Sequence, residues 1–129
     1  MSVEGTWYNA FGSTLNIGQV VDGAFFVTYE TAVSSGQCAQ GTFPGSGFFS
    51  ASGSVLGFTV LWTNSGSDCK SVTTWSGVYD PTSDSITAIW LLTADSPETP
   101  WAPTSVGEDQ FHRRQSAEAV QRAGRMAYR

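Results

Sequence analysis

The sequence predicts an all-β protein, an eight-stranded antiparallel up-and-down barrel followed by a short C-terminal tail. Short segments of alternating apolar and polar residues recur through residues 6–112. Clusters of Gly, Ser, Asp and Pro separate them at a spacing of roughly 8–14 residues. Alternation with a period of two indicates strands that bury one face. Short turns favour antiparallel neighbours, and closure into a barrel removes the unpaired edges of an open sheet.

Each predicted strand ends at turn residues, for example Asp22-Gly23 or Ser52-Gly53. In chain order the predicted strands are Thr6–Asn9, Ser13–Gly18, Ala24–Thr31, Gly45–Ser50, Val55–Thr63, Lys70–Tyr79, Ser85–Thr93 and Ser105–His112. Helix-forming residues at 115–123 stop at Gly124 and predict a short helix or tail. The chain is therefore divided into a barrel domain, residues 1–112, and a basic tail, residues 113–129.

Charge is distributed unevenly along this chain of 129 residues, a length that indicates one domain. Residues 1–111 contain ten acids and one base, Lys70, which gives a net charge of −9, whereas residues 112–129 contain five Arg and one Glu. An acidic body disfavours nucleic acid, because phosphates require a basic surface. No apolar run approaches the ~20 residues of a membrane-spanning helix. We therefore expect neither a nucleic acid nor a membrane as partner.

The two cysteines, Cys38 and Cys69, lie in segments rich in Gly, Ser and Asp. A buried structural thiol would be expected in an apolar strand, and a metal site would need more ligands than two Cys and the single His112. A disulfide is the favoured interpretation, and no metal is expected. Disulfides persist in oxidising compartments, so we expect a secreted or periplasmic protein. The first residues, however, lack the charged and apolar regions of a secretion signal.

Five tryptophans are the most informative residues of the chain. Trp62, Trp75 and Trp90 each end a short alternating segment. Ser71, Thr73 and Trp75 share one strand face, so two hydroxyls and an indole line the same wall. Aromatic walls with a few polar groups are typical of small-molecule pockets. The alternative is that the tryptophans only fill a β-sheet core.

Six motifs follow one another over residues 5–111. They are Gly5–Asn9 with Gly12-Ser13, Thr28–Val33, Gly57–Trp62 with Asn64, Ser71–Tyr79, Trp90–Thr93 and Val106–Phe111. In this order and spacing they resemble the strands and lid loop of the avidin/streptavidin family of biotin-binding proteins. The resemblance implies a barrel that holds one small ligand. It also implies high-affinity, non-covalent biotin binding at the open end of the barrel, with biotin as ligand, no cofactor and no catalysis.

The resemblance implies a role for each site residue. Asn9, Ser13 and Tyr29 would surround the ureido oxygen of biotin with donors, as in an oxyanion hole. Asp109 and Thr31 would accept the two ureido N–H groups. Each of these could alone be an ordinary turn, strand-edge or surface residue, and the ordered set argues against that. The remaining contacts are Thr73 at the thioether sulfur, Trp62, Trp75 and Trp90 around the ring and aliphatic chain, Ser71 and Ser35 near the carboxylate, and Val33 in the lid loop.

The resemblance extends to the assembly. The positions of Cys38 and Cys69 are similar to those in the disulfide-bearing, dimeric, rhizavidin-like branch, so we expect a homo-oligomer with a dimer as its unit. The bridge would hold the lid loop half closed and reduce the ordering entropy lost on binding. Trp101 precedes Asp109 by the spacing of tetrameric members, in which this residue covers a neighbouring site. Prolines flank it here, so a lid and an unrelated orientation both remain open.

For the tail, residues 113–129, two contacts with a neighbouring molecule stay open beside the alternative of a mere lattice contact. Its arginines could lie on the acidic body of a neighbour, a contact that salt would screen. Alternatively, Met126 and Tyr128 could enter the open pocket of another dimer as an intrinsic ligand, which would build a larger assembly.

Two other functional classes compete with biotin binding. Tryptophan platforms with carboxylates also occur in sugar hydrolases, which need a pair of carboxylates. Glu30 alternates to the face opposite Tyr29 and Thr31, so Asp109 has no second carboxylate beside it, and we expect no enzyme. The third class is a carbohydrate- or peptide-binding module that uses the same aromatic pocket.

Overall fold

The computed structural model of the protein describes residues 2–32, 38–95 and 101–114. Within them the chain forms β1 (Gly5–Tyr8), β2 (Thr14–Ile17), β3 (Ala24–Glu30), β4 (Phe43–Ser50), β5 (Val55–Thr63), β6 (Asp68–Asp80), β7 (Ser85–Ala94) and β8 (Thr104–His112). Each strand pairs antiparallel with the next, and β8 pairs with β1 through Tyr8 and His112 to close the barrel. The prediction of an all-β, eight-stranded up-and-down barrel is confirmed.

The predicted strand boundaries differ most at β4 and β6. β4 begins at Phe43, two residues earlier than predicted. Pro44 is accommodated as the second residue of the strand, with its ring exposed on the outer face. β6 begins at Asp68, which pairs with Thr63 beyond a register shift in the β5–β6 ladder. Lys70 lies in this irregular part with φ 54°. Both differences fall at one end of the barrel.

The barrel interior is filled by alternate residues of each strand, as the period of two predicts. In β5 the buried residues are Leu56, Phe58, Val60 and Trp62, and the residues between them are exposed or half-buried. Aromatic rings occupy much of this interior. No helix long and apolar enough to cross a membrane is found in the described part of the chain.

Arg113 seals the end of the barrel at which β1 begins, which we call the closed end. Its guanidinium lies 3.7 Å from the ring centroid of Trp7. It donates hydrogen bonds to the carbonyl oxygens of Glu4 (2.8 Å) and Ser2 (2.7 Å). Its Nε atom also pairs with the Asp84 carboxylate at 3.3 Å. The opposite end, where β1, β3, β5 and β7 finish, is the open end.

Candidate binding site at the open end of the barrel

Asn9 directs its side-chain N–H groups into the barrel interior, because its side-chain oxygen already accepts backbone hydrogen bonds. β1 ends at Tyr8, and Asn9 Oδ1 accepts hydrogen bonds from the backbone N–H groups of Phe11 and Ser13, both at 3.0 Å. This fixes the orientation of the amide, which the side chain alone would leave undetermined. Its Nδ2 atom then donates toward Tyr29 Oη (3.3 Å) and Asp109 Oδ1 (3.4 Å). Asn9 was predicted in a strand and lies in the turn that follows it.

Ser13 and Thr31 form a second polar pair at the same end. Ser13 is fully buried, and its hydroxyl oxygen accepts a hydrogen bond from the backbone N–H of Ala32 at 3.0 Å. The same oxygen lies 3.4 Å from Thr31 Oγ1. Ser13 immediately precedes β2 and Thr31 immediately follows β3, so the β1–β2 turn and the end of β3 hold the two hydroxyls together.

Asp109 is a buried carboxylate on β8, with 3% of the residue exposed. One oxygen accepts the weak bond from Asn9, and the other accepts the indole N–H of Trp75 at 2.9 Å. A buried carboxylate requires such partners, because desolvation without hydrogen bonds would be strongly unfavourable. The network therefore joins three of the predicted site residues, from the turn after β1, from β6 and from β8.

The aromatic rings of the site pack against one another around this network. Tyr29 stacks on Trp75 with 5.0 Å between centroids and meets Trp62 edge-on at 5.6 Å. The indole N–H of Trp62 donates to Thr73 Oγ1 at 2.8 Å. Because Thr73 accepts this bond while fully buried, its own hydroxyl proton is free to point elsewhere in the interior.

Trp90 packs directly on the backbone of β8. Trp90 and Gly107 are register partners in the β7–β8 ladder. A Cβ atom placed on Gly107 would overlap the six-membered ring of this indole and lie 2.8 Å from its Nε1 atom. The absence of a side chain at position 107 therefore sets how closely the indole approaches the sheet.

Ser71 lies near the disulfide on β6. The bond between Cys38 and Cys69 is present, as predicted, and the backbone N–H of Ala39 points at Cys69 Sγ, 2.9 Å away. The bridge ties the segment that enters β4 to the strand that carries Ser71, which is buried. Val33 and Ser35, the predicted lid residues, lie outside the described residues. Trp101 is 79% exposed, so its indole is accessible from outside the barrel.

The structure thus brings together ten of the predicted site residues at or near the open end: Asn9, Ser13, Tyr29, Thr31, Trp62, Ser71, Thr73, Trp75, Trp90 and Asp109. Sequence reasoning missed Phe43, whose buried ring meets Trp62 at 5.0 Å, and Phe58, which stacks on Trp75 at 4.8 Å. Phe58 and Trp62 are four residues apart on β5 and therefore share a face, which was a usable signal for Phe58. Phe43 was hidden because Pro44 made the strand seem to begin later.

The described residues include no group of three or more His, Cys, Asp or Glu side chains that could hold an ion. What the site offers instead is a set of fixed donors and one carboxylate beneath a box of aromatic rings. This arrangement suits a neutral, polar ring with a hydrophobic extension.

The chain belongs to the avidin family, whose family model matches residues 1–114. This membership defines a small-molecule binding protein and not an enzyme. Two similar proteins are hoefavidin from Hoeflea phototrophica, 28% identical over 113 residues, and afifavidin from Afifella pfennigii, 34% identical over 98 residues. The aligned parts cover 81% and 70% of this chain, but 68% of hoefavidin and only 57% of afifavidin.

A solved structure gives the same result for the fold. A crystal structure of a shwanavidin variant in complex with biotin matches with a TM-score of 0.68 and 27% sequence identity. The match covers 86% of this chain and 96% of that one. None of these comparisons supports the alternative of a carbohydrate- or peptide-binding module.

Proposed function

We propose that the protein binds biotin non-covalently and with high affinity at the open end of the barrel. The observation that carries the proposal is the buried network of Asn9, Tyr29, Asp109 and Trp75, in which donors and one carboxylate converge on a small region. Family membership and the biotin complex of the related shwanavidin structure support the same ligand.

The ureido group of biotin has one acceptor oxygen and two N–H donors, and the network is complementary to it. The amide N–H of Asn9 and the hydroxyls of Tyr29 and Ser13 donate to the oxygen. Asp109 and Thr31 accept from the two N–H groups. Hydrogen bonds to a charged partner contribute about 1.5–3 kcal/mol each, against about 1 kcal/mol for neutral ones, so Asp109 should contribute most. Because these groups already hydrogen-bond to one another, little ordering remains on binding.

The rest of the ligand meets the aromatic part of the site. The Thr73 hydroxyl, which accepts from Trp62, directs its proton toward the thioether sulfur. Trp62, Trp75 and Trp90 enclose the bicyclic ring. Ser71 and the lid residues Val33 and Ser35 meet the carboxylate end of the ligand.

Titration calorimetry with biotin tests this proposal, with a matched pair of variants on β8. Asp109→Asn removes the charge of a buried, inward residue, whereas Glu108→Gln removes the same charge from the exposed neighbouring residue. We expect Asp109→Asn to weaken binding by about 1.5–3 kcal/mol, or roughly 10- to 150-fold, and Glu108→Gln to leave it unchanged. Equal effects would show that Asp109 is only structural. A wild-type protein without biotin-binding heat, or one from which sugars displace biotin, would refute the proposal.

We further propose a homo-oligomer whose unit is a dimer, in a secreted or periplasmic setting. The disulfide supports an oxidising compartment. The exposed indole of Trp101 supports its use as a lid on a neighbouring site. Trp101→Ala should speed biotin release from the oligomer if the indole covers a site, and an unchanged release rate would exclude that role.

The tail, residues 113–129, is proposed as the connector of a larger assembly. Arg113 itself packs in the closed end of its own barrel, so the connector would be formed by the residues after it. Met126 and Tyr128, which lie outside the described residues, would enter the pocket of another dimer. Light scattering should then show an assembly larger than a dimer that shrinks when biotin is added or when residues 115–129 are deleted. An unchanged mass after both treatments would exclude the tail as connector.

A further inference from the structure

The segment that leads into β4, residues 38–43, is fastened to the β5–β6 hairpin at two separate places, and we call it the entry segment. Cys38, its first residue, is bonded to Cys69 near the start of β6. Further along, its backbone meets the side chain of Asn64, which lies in the turn between β5 and β6. The first anchor is covalent and is opened by reduction. The second anchor is polar and does not depend on the redox state.

Asn64 uses both ends of its side-chain amide at the second anchor. Its Oδ1 atom accepts hydrogen bonds from the backbone N–H groups of Gly66 and Ser67, both at 2.9 Å, in an Asx turn that shapes the hairpin. Its Nδ2 atom donates to the carbonyl oxygens of Gln40 at 2.9 Å and Thr42 at 3.4 Å. Because the turn fixes the oxygen, the N–H groups face the entry segment.

The backbone of the entry segment bends around this amide. Gly41, between the two accepting carbonyls, has φ +86°, which is in the left-handed region that favours glycine. A Cβ atom there would lie 3.4 Å from Asn64 Nδ2. Gln40, Gly41 and Thr42 are all exposed, so burial of apolar side chains does not hold them in place. The hydrogen bonds from Asn64 therefore have a large share in fixing these three residues.

The entry segment ends at a residue that contacts the aromatic site. Phe43 is fully buried, its ring centroid lies 5.0 Å from that of Trp62, and its backbone pairs with Tyr29 in the β3–β4 ladder. Trp62 donates its indole N–H to Thr73 and precedes Asn64 by two residues. Asn64 thus joins the two pieces of chain that bring Phe43 and Trp62 together. A shift of the entry segment would move one wall of the aromatic box.

We propose that Asn64 is a positioning residue of the biotin site, and that its amide and the disulfide are parallel anchors of the entry segment. Either anchor alone keeps Phe43 against Trp62, so the pocket stays formed when the disulfide is reduced. Loss of both anchors frees the entry segment from the hairpin and opens the aromatic box on this side. The inference rests on the proposed function, because its main readout is the release of biotin.

A substitution that exchanges one group of the side chain separates the anchor from the turn. Asn64→Asp keeps an oxygen that accepts the N–H groups of its own turn, but replaces the donor by a second oxygen that faces two carbonyl oxygens. Asn16→Asp is the matched control, because it adds the same charge to an exposed asparagine whose oxygen accepts a hydrogen bond from Thr6 at 2.7 Å. Both variants are made in the wild type and in a Cys38→Ser, Cys69→Ser background.

Parallel anchors predict a non-additive effect on biotin release, measured by stopped-flow displacement. With the disulfide intact, Asn64→Asp should speed release about two- to tenfold, because a single hydrogen-bonded anchor contributes modestly. Without the disulfide, the same substitution should speed release roughly 30-fold or more. Asn16→Asp should leave the rate within a factor of about two in either background. An equal acceleration by Asn64→Asp in both backgrounds, or none in either, would overturn the proposal.

A pair of glycine variants distinguishes positioning from a general loss of stability. Gly41→Ala strains a left-handed residue and places a methyl group against the Asn64 amide. Gly23→Ala, in the turn between β2 and β3 at the closed end, strains a residue of φ +81° whose added Cβ would also have its nearest atom at 3.4 Å. Both should lower Tm alike, but only Gly41→Ala should speed biotin release. Equal release rates in the two variants would refute the positioning role.

Hydrogen exchange of the unliganded protein separates this proposal from the proposed function. Backbone N–H groups of residues 39–43 should exchange faster in Asn64→Asp without the disulfide than in a variant that lacks either anchor alone, while those of β7 keep wild-type protection. Unchanged exchange at residues 39–43 would refute the anchor even in a protein that binds biotin. A wild type without biotin-binding heat would refute the proposed function, and the exchange result would still report on the two anchors.

Discussion

Replacing Gly107 by Ala should distort the binding site through one added methyl group. A Cβ at this position would overlap the indole of Trp90, and the ring cannot retreat freely because it is buried in the barrel. The backbone torsion of Gly107 is not in the left-handed region, so any effect is steric. Overpacking of this kind costs about 1–3 kcal/mol. For a chain of this size we expect a loss of about 4–12 °C in Tm.

The same steric overlap should also weaken biotin binding. If half of the strain is relieved by moving Trp90 out of the aromatic box, biotin affinity falls roughly two- to tenfold. Thermal unfolding with and without biotin, together with calorimetry, measures both effects. Gly53→Ala is the matched control, because a Cβ there meets its nearest atoms at 3.7 and 3.8 Å. It should change neither property.

A double variant tests whether the methyl group added at position 107 acts through its contact with Trp90. Phenylalanine in place of Trp90 removes the indole atoms nearest to position 107. Gly107→Ala should therefore be less destabilising in a Trp90→Phe background than in the wild type, a non-additive result typical of residues in contact. Strictly additive losses, or a Gly107→Ala variant as stable as Gly53→Ala, would refute the steric argument.

Three further predictions concern other parts of the barrel. Thr73→Val removes the hydroxyl that accepts the buried indole N–H of Trp62 and should destabilise the fold by about 1–3 kcal/mol in denaturant unfolding, whereas the exposed Thr74→Val should have little effect. Reducing Cys38–Cys69 should speed biotin release in stopped-flow competition and lower stability by roughly 3–4 kcal/mol, and two thiols alkylated in untreated protein would contradict the bridge. The pKa of the Glu4 carboxyl lies below its usual 4.5, because the backbone N–H of Val20 and the hydroxyl of Ser2 donate to it. The ionised carboxylate therefore stabilises the fold above about pH 4.5, and this contribution is lost as the pH falls through the lowered pKa. Glu4→Gln should make the fall in Tm between about pH 5 and pH 3 shallower, and an unchanged slope would contradict this assignment.

The sequence was informative wherever a residue's role follows from strand alternation. Thr73 and Trp75 share a face because they are two residues apart, and the structure buries both. Trp62 and Phe58 follow the same rule on β5. The inward faces of the strands could be predicted because an odd or even position fixes which side of the sheet a residue faces.

Contacts between distant residues could not be read in the same way. Asn9 lies in a turn, so no periodicity gives the direction of its amide, and the bond to Asp109 spans 100 residues of sequence. The approach of Trp90 to Gly107 depends on the β7–β8 register. Arg113 resembled the start of a basic tail until the fold placed its guanidinium over Trp7, across the seam between the first and last strands. These interactions depend on three-dimensional closure, which local patterns do not encode.

The contacts that Arg113 makes at the closed end also have a mechanical consequence. They fasten the segment before β1 to the segment after β8 at the end of the barrel opposite the aromatic box. A tether attached to either segment therefore leaves the molecule on the far side from the ligand. Tension between such a tether and a bound ligand runs along the strands and loads their ladders in shear, so that many hydrogen bonds resist together instead of opening one after another.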